Sequence, residues 1–354
     1  MNMFDRENVL RTIRFESPDL IPMKFAINRA CWHHYDQEAL KDLMEEHRLL
    51  FPGYHRPQGK VIPRYPANAI ADKPYTDAWG CVWSTTDDGI TGSVHQHPLE
   101  NLADLDNYHM PDPEVTDGTY PIDWNRIKAD IRQNKADGQL TQLGLPHGHT
   151  FLRLQDIRGY DNLIFDMADD EPRFLKLLAM VEEFNYRFIA KCVELTPDII
   201  SYPEDLGMQN GPMLSPKHFR KYIKPVYRKC MGIARDKGAI VHMHSDGDIR
   251  TLADDLIEGG VDIINLQDIV NGIDWIAERF AGKTCIDLDV DRQNVTRFGA
   301  PAQIDELIRN EVERLATPQG GLMMVFGLYP GTPLENIKAL MDAMEKYCAH
   351  HRRD

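Results

Sequence analysis

Short apolar runs alternate along most of the chain with longer stretches in which apolar residues recur at helical spacing. The apolar runs predict strands at 21–27, 140–145, 198–204, 239–246, 262–268, 283–290 and 321–328. The other stretches predict helices at 1–16, 123–134, 171–195, 215–237, 250–259, 272–280, 301–316 and 332–350. Continuous apolar strands separated by helices are typical of a parallel sheet that is covered on both faces.

This alternation favours an α/β fold, a single (β/α)8 TIM barrel spanning residues 1–354, with one strand not evident from the pattern. A doubly wound sheet is the alternative, but the chain contains neither a GxGxxG nor a Walker A motif. Residues 50–120 break the rhythm and are rich in Pro, Gly, Trp, Tyr and His. They predict an irregular insertion, with a small hairpin, over the mouth of the barrel.

Charge and composition narrow the class of protein. The 40 Lys and Arg against 55 Asp and Glu give a net charge of −15, which disfavours a nucleic-acid-binding surface. No apolar run approaches the ~20 residues of a membrane span, and the start, MNMFDRENVL, lacks the apolar segment of a signal peptide. We therefore expect a cytoplasmic protein that contacts neither nucleic acid nor membrane, and whose six cysteines are buried.

Candidate chemistry accumulates where the predicted strands end, which is where a TIM barrel carries its active site. His242 and His244 are separated by one residue on a predicted strand, so both imidazoles point to the same side and can bind one ion. Zinc accepts such nitrogens together with carboxylate oxygens. Glu204 is the predicted third ligand, and Asp246 and Asp268 are further oxygen donors. Alternatively, the imidazoles only form hydrogen bonds with neighbouring carboxylates.

Several segments, in the correct order along the chain, resemble the uroporphyrinogen decarboxylase superfamily. They are RENVLRTIRFESPDLIP at 6–22, DAWGCVW at 77–83, HPLENLADLDNYHMPDP at 97–113, EDLGMQNGPMLSPKHFRKYIKP at 204–225, VHMHSDGDI at 241–249 and TPLENI at 332–337. The resemblance implies a single (β/α)8 barrel with its active site at the carboxyl ends of the strands. It also makes a homodimer a reasonable expectation.

The superfamily has two functional branches, and the chain resembles the corrinoid-dependent methyltransferases more closely than the true decarboxylases. The decarboxylases carry an arginine-rich segment after the first strand, where this chain offers only Lys24 and Arg29. The methyltransferases hold zinc with a His-x-Cys pair and a distant cysteine. His242 matches the histidine and His244 occupies the place of the first cysteine, but GLMMVFGLYPG lacks the second. The resemblance therefore implies a harder site, completed by Glu204 or Asp268.

Together these observations predict a zinc-dependent methyltransferase that moves a methyl group between a small molecule and a corrinoid (cobalamin). Because the chain has no DxHxxG motif, the corrinoid is expected on a separate partner protein. The predicted substrate is a methoxylated compound or a thiol. The methoxylated compound is slightly favoured, because the site lacks the thiolates of the thiol-methylating relatives. The predicted catalytic groups are Asp205, Asp246 and Tyr329, and the predicted substrate contacts are His147, His149 and Asp268.

Two other functions remain open at this stage. One is a metal-independent decarboxylase that acts on a tetrapyrrole or another acidic aromatic compound. The other is a binding protein without catalytic activity that is built on an enzyme barrel.

Overall fold

The computed structural model describes residues 2–350, and this part of the chain forms two compact units. The first unit comprises residues 2–66, 88–90 and 264–350, and the second comprises residues 67–87 and 91–263. Each unit combines parallel strands with helices, as the sequence pattern predicts. Whether the whole chain behaves as one domain, with residues 50–120 over the mouth of the barrel, stays a prediction.

The strands and helices are numbered in chain order. The strands are β1 (Met23–Ile27), β2 (Tyr75–Thr76), β3 (Val82–Ser84), β4 (Ser93–Gln96), β5 (Gln142–Gly144), β6 (Ile199–Pro203), β7 (Gly207–Met208), β8 (Gly211–Pro212), β9 (Ile240–Ser245), β10 (Ile263–Gln267), β11 (Cys285–Asp289) and β12 (Leu322–Leu328). The helices are α1 (Arg6–Arg14), α2 (Cys31–His34), α3 (Gln37–Glu46), α4 (Trp124–Ala136), α5 (Phe151–Arg158), α6 (Tyr160–Ala168), α7 (Pro172–Glu194), α8 (Pro216–His218), α9 (Lys224–Asp236), α10 (Ala253–Gly259), α11 (Asp268–Asn271), α12 (Ile273–Phe280), α13 (Val295–Phe298), α14 (Pro301–Leu315) and α15 (Leu334–Tyr347). A π-helical turn at Phe219–Ile223 joins α8 to α9, and 3-10 turns occupy Ala67–Ala69 and Leu102–Asn107.

In the first unit, four parallel strands lie in the order β1, β12, β11, β10. Met23 of β1 pairs with Met324 of β12, and Ile286 of β11 pairs with Leu322. Most of β12 is buried, because helices such as α14 and α15 cover the sheet and pack against each other. Pro301 stands in the first turn of α14, where its missing N–H costs no hydrogen bond.

In the second unit, β9, β6 and β5 lie side by side and parallel. Ile199 of β6 pairs with Ile240 of β9 on one side and with Gln142 of β5 on the other. Helix α7 packs against α9 and buries a stripe of large apolar side chains at intervals of three or four residues. The strand ends that carry the candidate chemistry of this unit are therefore held on a rigid layer.

A buried ion pair connects α5 to the turn before β3. Arg153 Nη1 lies 2.7 Å from Asp77 Oδ2, and both side chains are almost fully buried. The carboxylate of Asp77 also accepts hydrogen bonds from the backbone of Trp79 and Cys81 and from the indole of Trp83. One carboxylate thus organises the 77–83 turn and attaches it to the helix.

The seven predicted strands are all present, each within a few residues of its predicted bounds. No eighth parallel strand occurs among residues 2–350; the segment between β1 and β5 instead contains an antiparallel sheet of β2, β3 and β4, which extends the predicted hairpin by one strand. The six cysteines are buried thiols, as expected. Within the same described range, no helix combines the length and apolar character needed to cross a membrane.

Gly144 provides a test of the packing between β5 and β6. A Cβ atom at this position would lie 2.1 Å from the carbonyl oxygen of Ser201, so Gly144→Ala must separate the two strands. We expect the free energy of unfolding to fall by about 1–3 kcal/mol, measured by urea denaturation. Gly232→Ala in α9 is the matched control, because a Cβ there meets nothing within 4 Å. Equal stability of the two variants would contradict this packing.

Candidate active site

Strand β9 carries two histidines toward the same side of the second unit. Along β9, Val241, Met243 and Ser245 are buried, whereas His242 and His244 are half-buried. His242 is in register with Ser201 and His244 with Pro203, the last residue of β6. His244 therefore lies at the carboxyl end of the paired strands, and His242 lies one pleat further in.

Three side chains converge beyond the ends of β5, β6 and β9, namely His147, Asp205 and His244. His147 Nε2 lies 3.2 Å from Asp205 Oδ1, and His244 Nε2 lies 3.5 Å from the same oxygen. The imidazole rings are 5.9 Å apart between centroids. One donor atom from each side chain lies within 4.8 Å of the other two. Three neighbouring strands thus contribute one polar group each.

The two imidazoles determine the charge state of the carboxylate between them. Burial alone would raise the pKa of Asp205, but hydrogen bonds from His147 and His244 outweigh it and hold this pKa well below its ordinary value. The N–H of Asp246 also donates to Asp205 Oδ1 at 3.2 Å. Asp205 is therefore an anion that is fixed in position from three directions.

The donor atoms of this group fit a divalent metal ion. For Zn²⁺ with ligands at 2.0–2.1 Å, two atoms of a tetrahedral shell are about 3.3 Å apart. The separations of 3.2 and 3.5 Å from Asp205 Oδ1 to the two imidazole nitrogens bracket that value. The side chain of His147 is 52% exposed, so a fourth position can be reached from solvent. Two nitrogens and one carboxylate oxygen are a donor set that zinc accepts.

The sequence-predicted ligand set is only partly brought together. His244 lies in the converging group, but His242 and Glu204 do not belong to it. The predicted catalytic residue Asp205 and the predicted substrate contact His147 take those two places. Asp246, also predicted to be catalytic, lies at the edge of the group, with its carboxylate oxygen 3.8 Å from His244 Nε2.

Glu204 has a different environment from its neighbour Asp205. It is fully buried, and its Oε1 accepts hydrogen bonds from the N–H groups of Thr150 and Leu152, both at 2.9 Å. Its other oxygen accepts a hydrogen bond from the Tyr227 hydroxyl. Burial raises the pKa of Glu204 to about 7 despite these bonds. Glu204 thus caps the first turn of α5, where Thr150 makes no side-chain cap, and fixes the end of the loop that carries His147.

His149 lies beneath that loop rather than at its surface, with 3% of its surface exposed. Its Nδ1 is 2.6 Å from Thr150 Oγ1, and its ring packs against Tyr202 and Tyr227. Burial lowers the pKa of His149 to about 3, so the imidazole is neutral. His149, a predicted substrate contact, thus lies in the packed interior of the second unit.

The remaining predicted residues belong to the first unit. Asp268 is 1% exposed and accepts a hydrogen bond from the N–H of Asp291 at 2.8 Å; burial raises its pKa. Tyr329 is 45% exposed, with the guanidinium of Arg292 5.8 Å from its ring centroid. Sequence reasoning did not identify Glu311, which is fully buried next to Asp268; burial and the neighbouring carboxylate raise the pKa of Glu311 well above its ordinary value. Its place on the apolar side of α14 is the signal that indicates it.

The chain is also similar to a known protein family. The model of the uroporphyrinogen decarboxylase (URO-D) family matches residues 76–347, more than half of the chain. The chain belongs to the uroporphyrinogen decarboxylase family. The match confirms the superfamily resemblance that the sequence segments carry.

Two individual proteins are similar to this chain in sequence or in fold. A uroporphyrinogen decarboxylase from Thermus thermophilus is 25% identical over 189 residues, which span 52% of this chain and about half (51%) of that relative. A methyltransferase from Methanosarcina mazei superposes with a TM-score of 0.65 over 96% of this chain and 98% of that protein, at 17% identity. The second likeness shows the fold alone, and with the family it confirms the predicted α/β TIM-barrel class.

The capping role of Glu204 can be tested by comparing two substitutions. Glu204→Ala leaves buried donors without an acceptor, so we expect the free energy of unfolding to fall by about 2–4 kcal/mol. Glu204→Gln keeps an oxygen for the two N–H groups and is expected to cost about 1 kcal/mol or less. Urea denaturation measures both, with the exposed Glu194→Ala as control. Equal losses in the two Glu204 variants would argue against the cap.

Proposed function

We propose that this protein is a metal-dependent methyltransferase that moves a methyl group between a small molecule and a corrinoid carried by a separate protein. The observation that carries the proposal is the group of His147, Asp205 and His244, whose spacing suits one divalent ion with an open position. The likeness of the whole fold to a methyltransferase from Methanosarcina mazei supports the same reaction class. The corrinoid is assigned to a partner because the chain lacks a DxHxxG motif.

In such a reaction, residues of the second unit would bind the metal ion, supply negative charge and accept a proton. His147, Asp205 and His244 would hold the ion. Bound zinc would supply a Lewis acid, which lowers the pKa of a substrate thiol or polarises the oxygen of a methyl ether. Asp205 contributes negative charge, and the carboxylate of Asp246, 36% exposed beside His244, is available to accept a proton. We favour a methoxylated substrate because no cysteine belongs to this group.

Tyr329 remains our proposed donor to a leaving oxygen. Its side chain is 45% exposed, so its hydroxyl is accessible from solvent. The nearby guanidinium of Arg292 forms an ion pair with Asp289 at 2.9 Å, which fixes a positive charge near the tyrosine ring.

A metal-independent decarboxylase is the second candidate, favoured by the sequence match to the Thermus thermophilus decarboxylase. A polycarboxylate substrate would need cationic side chains in the site. Arg153, which lies on α5 near the candidate group, is buried and already paired with Asp77. The anionic character of Asp205 and Asp246 also disfavours an acidic substrate.

Metal analysis of the purified protein tests the ligand set. We expect about one zinc per chain in the wild type. His147→Ala and His244→Ala each remove a direct ligand, so zinc affinity should fall by more than the roughly 10–100-fold typical of lost outer-shell partners. His109→Ala, at an exposed position of the same unit, should retain the wild-type content. Loss of zinc in His242→Ala but not in His147→Ala would restore the sequence-predicted pair, and a metal-free wild type would refute the site.

The reaction itself is tested by demethylation with reduced cobalamin as acceptor. Incubation with a methoxylated aromatic compound should produce methylcobalamin, detected by its absorbance, and a chelator should abolish the product. The parallel assay measures release of carbon dioxide from uroporphyrinogen. Decarboxylation that survives chelation, without methylcobalamin formation, would select the second candidate function instead.

A further inference from the structure

The chain stays paired beyond the ends of β6 and β9, in two segments at 204–208 and 244–248 that we call the paired segments. The N–H of Glu204 donates to the carbonyl of His244 at 3.0 Å, and the N–H of Gly207 donates to the carbonyl of Asp246 at 3.2 Å. Asp205 lies between these two bonds along the chain. Two of the three candidate metal ligands therefore belong to one hydrogen-bonded arrangement.

A buried hydroxyl bridges the paired segments between those two bonds. Ser245 is fully buried, and its Oγ accepts a hydrogen bond from the N–H of Leu206 at 2.9 Å. The same hydroxyl donates to the carbonyl of Asp246 at 3.0 Å. Leu206 follows Asp205 in the chain, and Ser245 follows His244. The bridge therefore connects the immediate neighbours of two candidate ligands.

Two glycines bring the paired segments into direct backbone contact. A Cβ atom on Gly207 would lie 2.5 Å from the backbone nitrogen of Asp248, whereas ordinary contacts of this kind begin at 3.4 Å. A Cβ atom on Gly247 would overlap the carbonyl carbon of Gly207, and the φ of Gly247 is 80°. The N–H of Asp248 donates to the carbonyl of Met208 at 2.7 Å. Neither glycine can therefore carry a side chain unless the segments move apart.

The separation between Asp205 and His244 depends on this contact. Asp205 lies on a loop, where side chains are held less precisely than on a strand, whereas His244 lies on β9. The hydroxyl of Ser245 ties that loop to the strand, and the N–H of Asp246 donates directly to Asp205 Oδ1 at 3.2 Å. Metal–ligand distances are specified to within about 0.2 Å. A small displacement of one segment is therefore enough to weaken a metal site.

We propose that Ser245, Gly207 and Gly247 are positioning residues that hold Asp205 and His244 at the separation a metal ion requires. Their contacts are with backbone atoms of the paired segments, so they act through the two ligands. The inference rests on the proposed function for the metal ion itself. It adds which residues outside the ligand set determine the affinity for that ion.

Zinc affinity of the full-length protein, measured by competition with a chromophoric chelator, tests the proposal. Ser245→Ala removes the bridge and should lower the affinity about tenfold, and Gly207→Ala forces the segments apart and should lower it about 10–100-fold. Thr141→Val is the matched control. Thr141 is also a buried hydroxyl, but it bonds Asp198 at 2.9 Å beyond the amino ends of β5 and β6. This variant should bind zinc as the wild type does.

The absorbance of bound cobalt(II) distinguishes positioning from a general loss of stability, because it depends on the geometry of the ligands around the ion. We expect Ser245→Ala and Gly207→Ala to change the visible spectrum of the cobalt protein. Thr141→Val should lower the free energy of unfolding, measured with urea, and leave that spectrum unchanged. Circular dichroism verifies that each variant is folded.

NMR of the histidine rings in the metal-free protein separates this inference from the proposed function. His147 comes from the loop after β5, and its Nε2 lies 3.2 Å from Asp205 Oδ1, so its resonance reports movement of Asp205. The signal is assigned by its loss in His147→Ala. Ser245→Ala should shift it, and Thr141→Val should not. Such a shift supports the positioning role even if the wild type binds no zinc, a result that refutes the metal site alone.

Three results would overturn the positioning role. The first is wild-type zinc affinity and an unchanged cobalt spectrum in both Ser245→Ala and Gly207→Ala. The second is an equal loss of zinc affinity in the control Thr141→Val. The third, which applies also to a protein that binds no metal, is a His147 resonance that Ser245→Ala leaves in place.

Discussion

The cap that Glu204 places on α5 is the contact on which the candidate site depends. A buried carboxylate is costly, and this one is compensated by two backbone N–H groups and a tyrosine hydroxyl. The positive end of the α5 dipole adds to the compensation. Because Thr150 follows His147 by three residues, the same bonds fix where that imidazole stands. The positions of the neighbouring Asp205 and of α5 are then both tied to the residue that follows β6.

Glu204 and Asp205 are adjacent acidic residues at the end of β6, and their side chains have different environments. Glu204 is enclosed and has a raised pKa, whereas Asp205 meets two imidazoles and has a lowered one. Two carboxylates next to each other in sequence thus have pKa values displaced in opposite directions. The first stabilises backbone structure, and the second supplies a fixed negative charge where an electrophile can bind.

Much of the fold could be predicted from the sequence, because each of the seven parallel strands is a continuous apolar run. The helices α5 and α6 could not be identified, because most faces of α5 are buried and it lacks a clean polar stripe. His244, His147 and Asp205 could be predicted as candidate site residues from their places at strand ends. Glu204 stays a predicted ligand, but it lies outside the converging group, because consecutive residues at the end of a strand leave it in different directions.

The prediction that His242 and His244 bind the same ion rests on a local pattern in one strand. Two residues on one face of a strand are separated by nearly 7 Å along it, so sharing a face permits their nitrogens to meet at one point but does not ensure it. The actual partners of His244 come from β5 and β6, whose register no local motif encodes. The sequence of one segment does not predict which loops lie next to each other at the end of a parallel sheet.

The attachment of Arg153 to Asp77 has a consequence for variants of the turn that carries the carboxylate. The turn at 77–83 is irregular, but Asp77, Trp79 and Cys81 are all buried in it. Because the carboxylate of Asp77 is paired with Arg153 of α5, a substitution that displaces this turn is expected to displace the helix. A change in this turn can therefore alter the position of α5 without any change in the parallel strands.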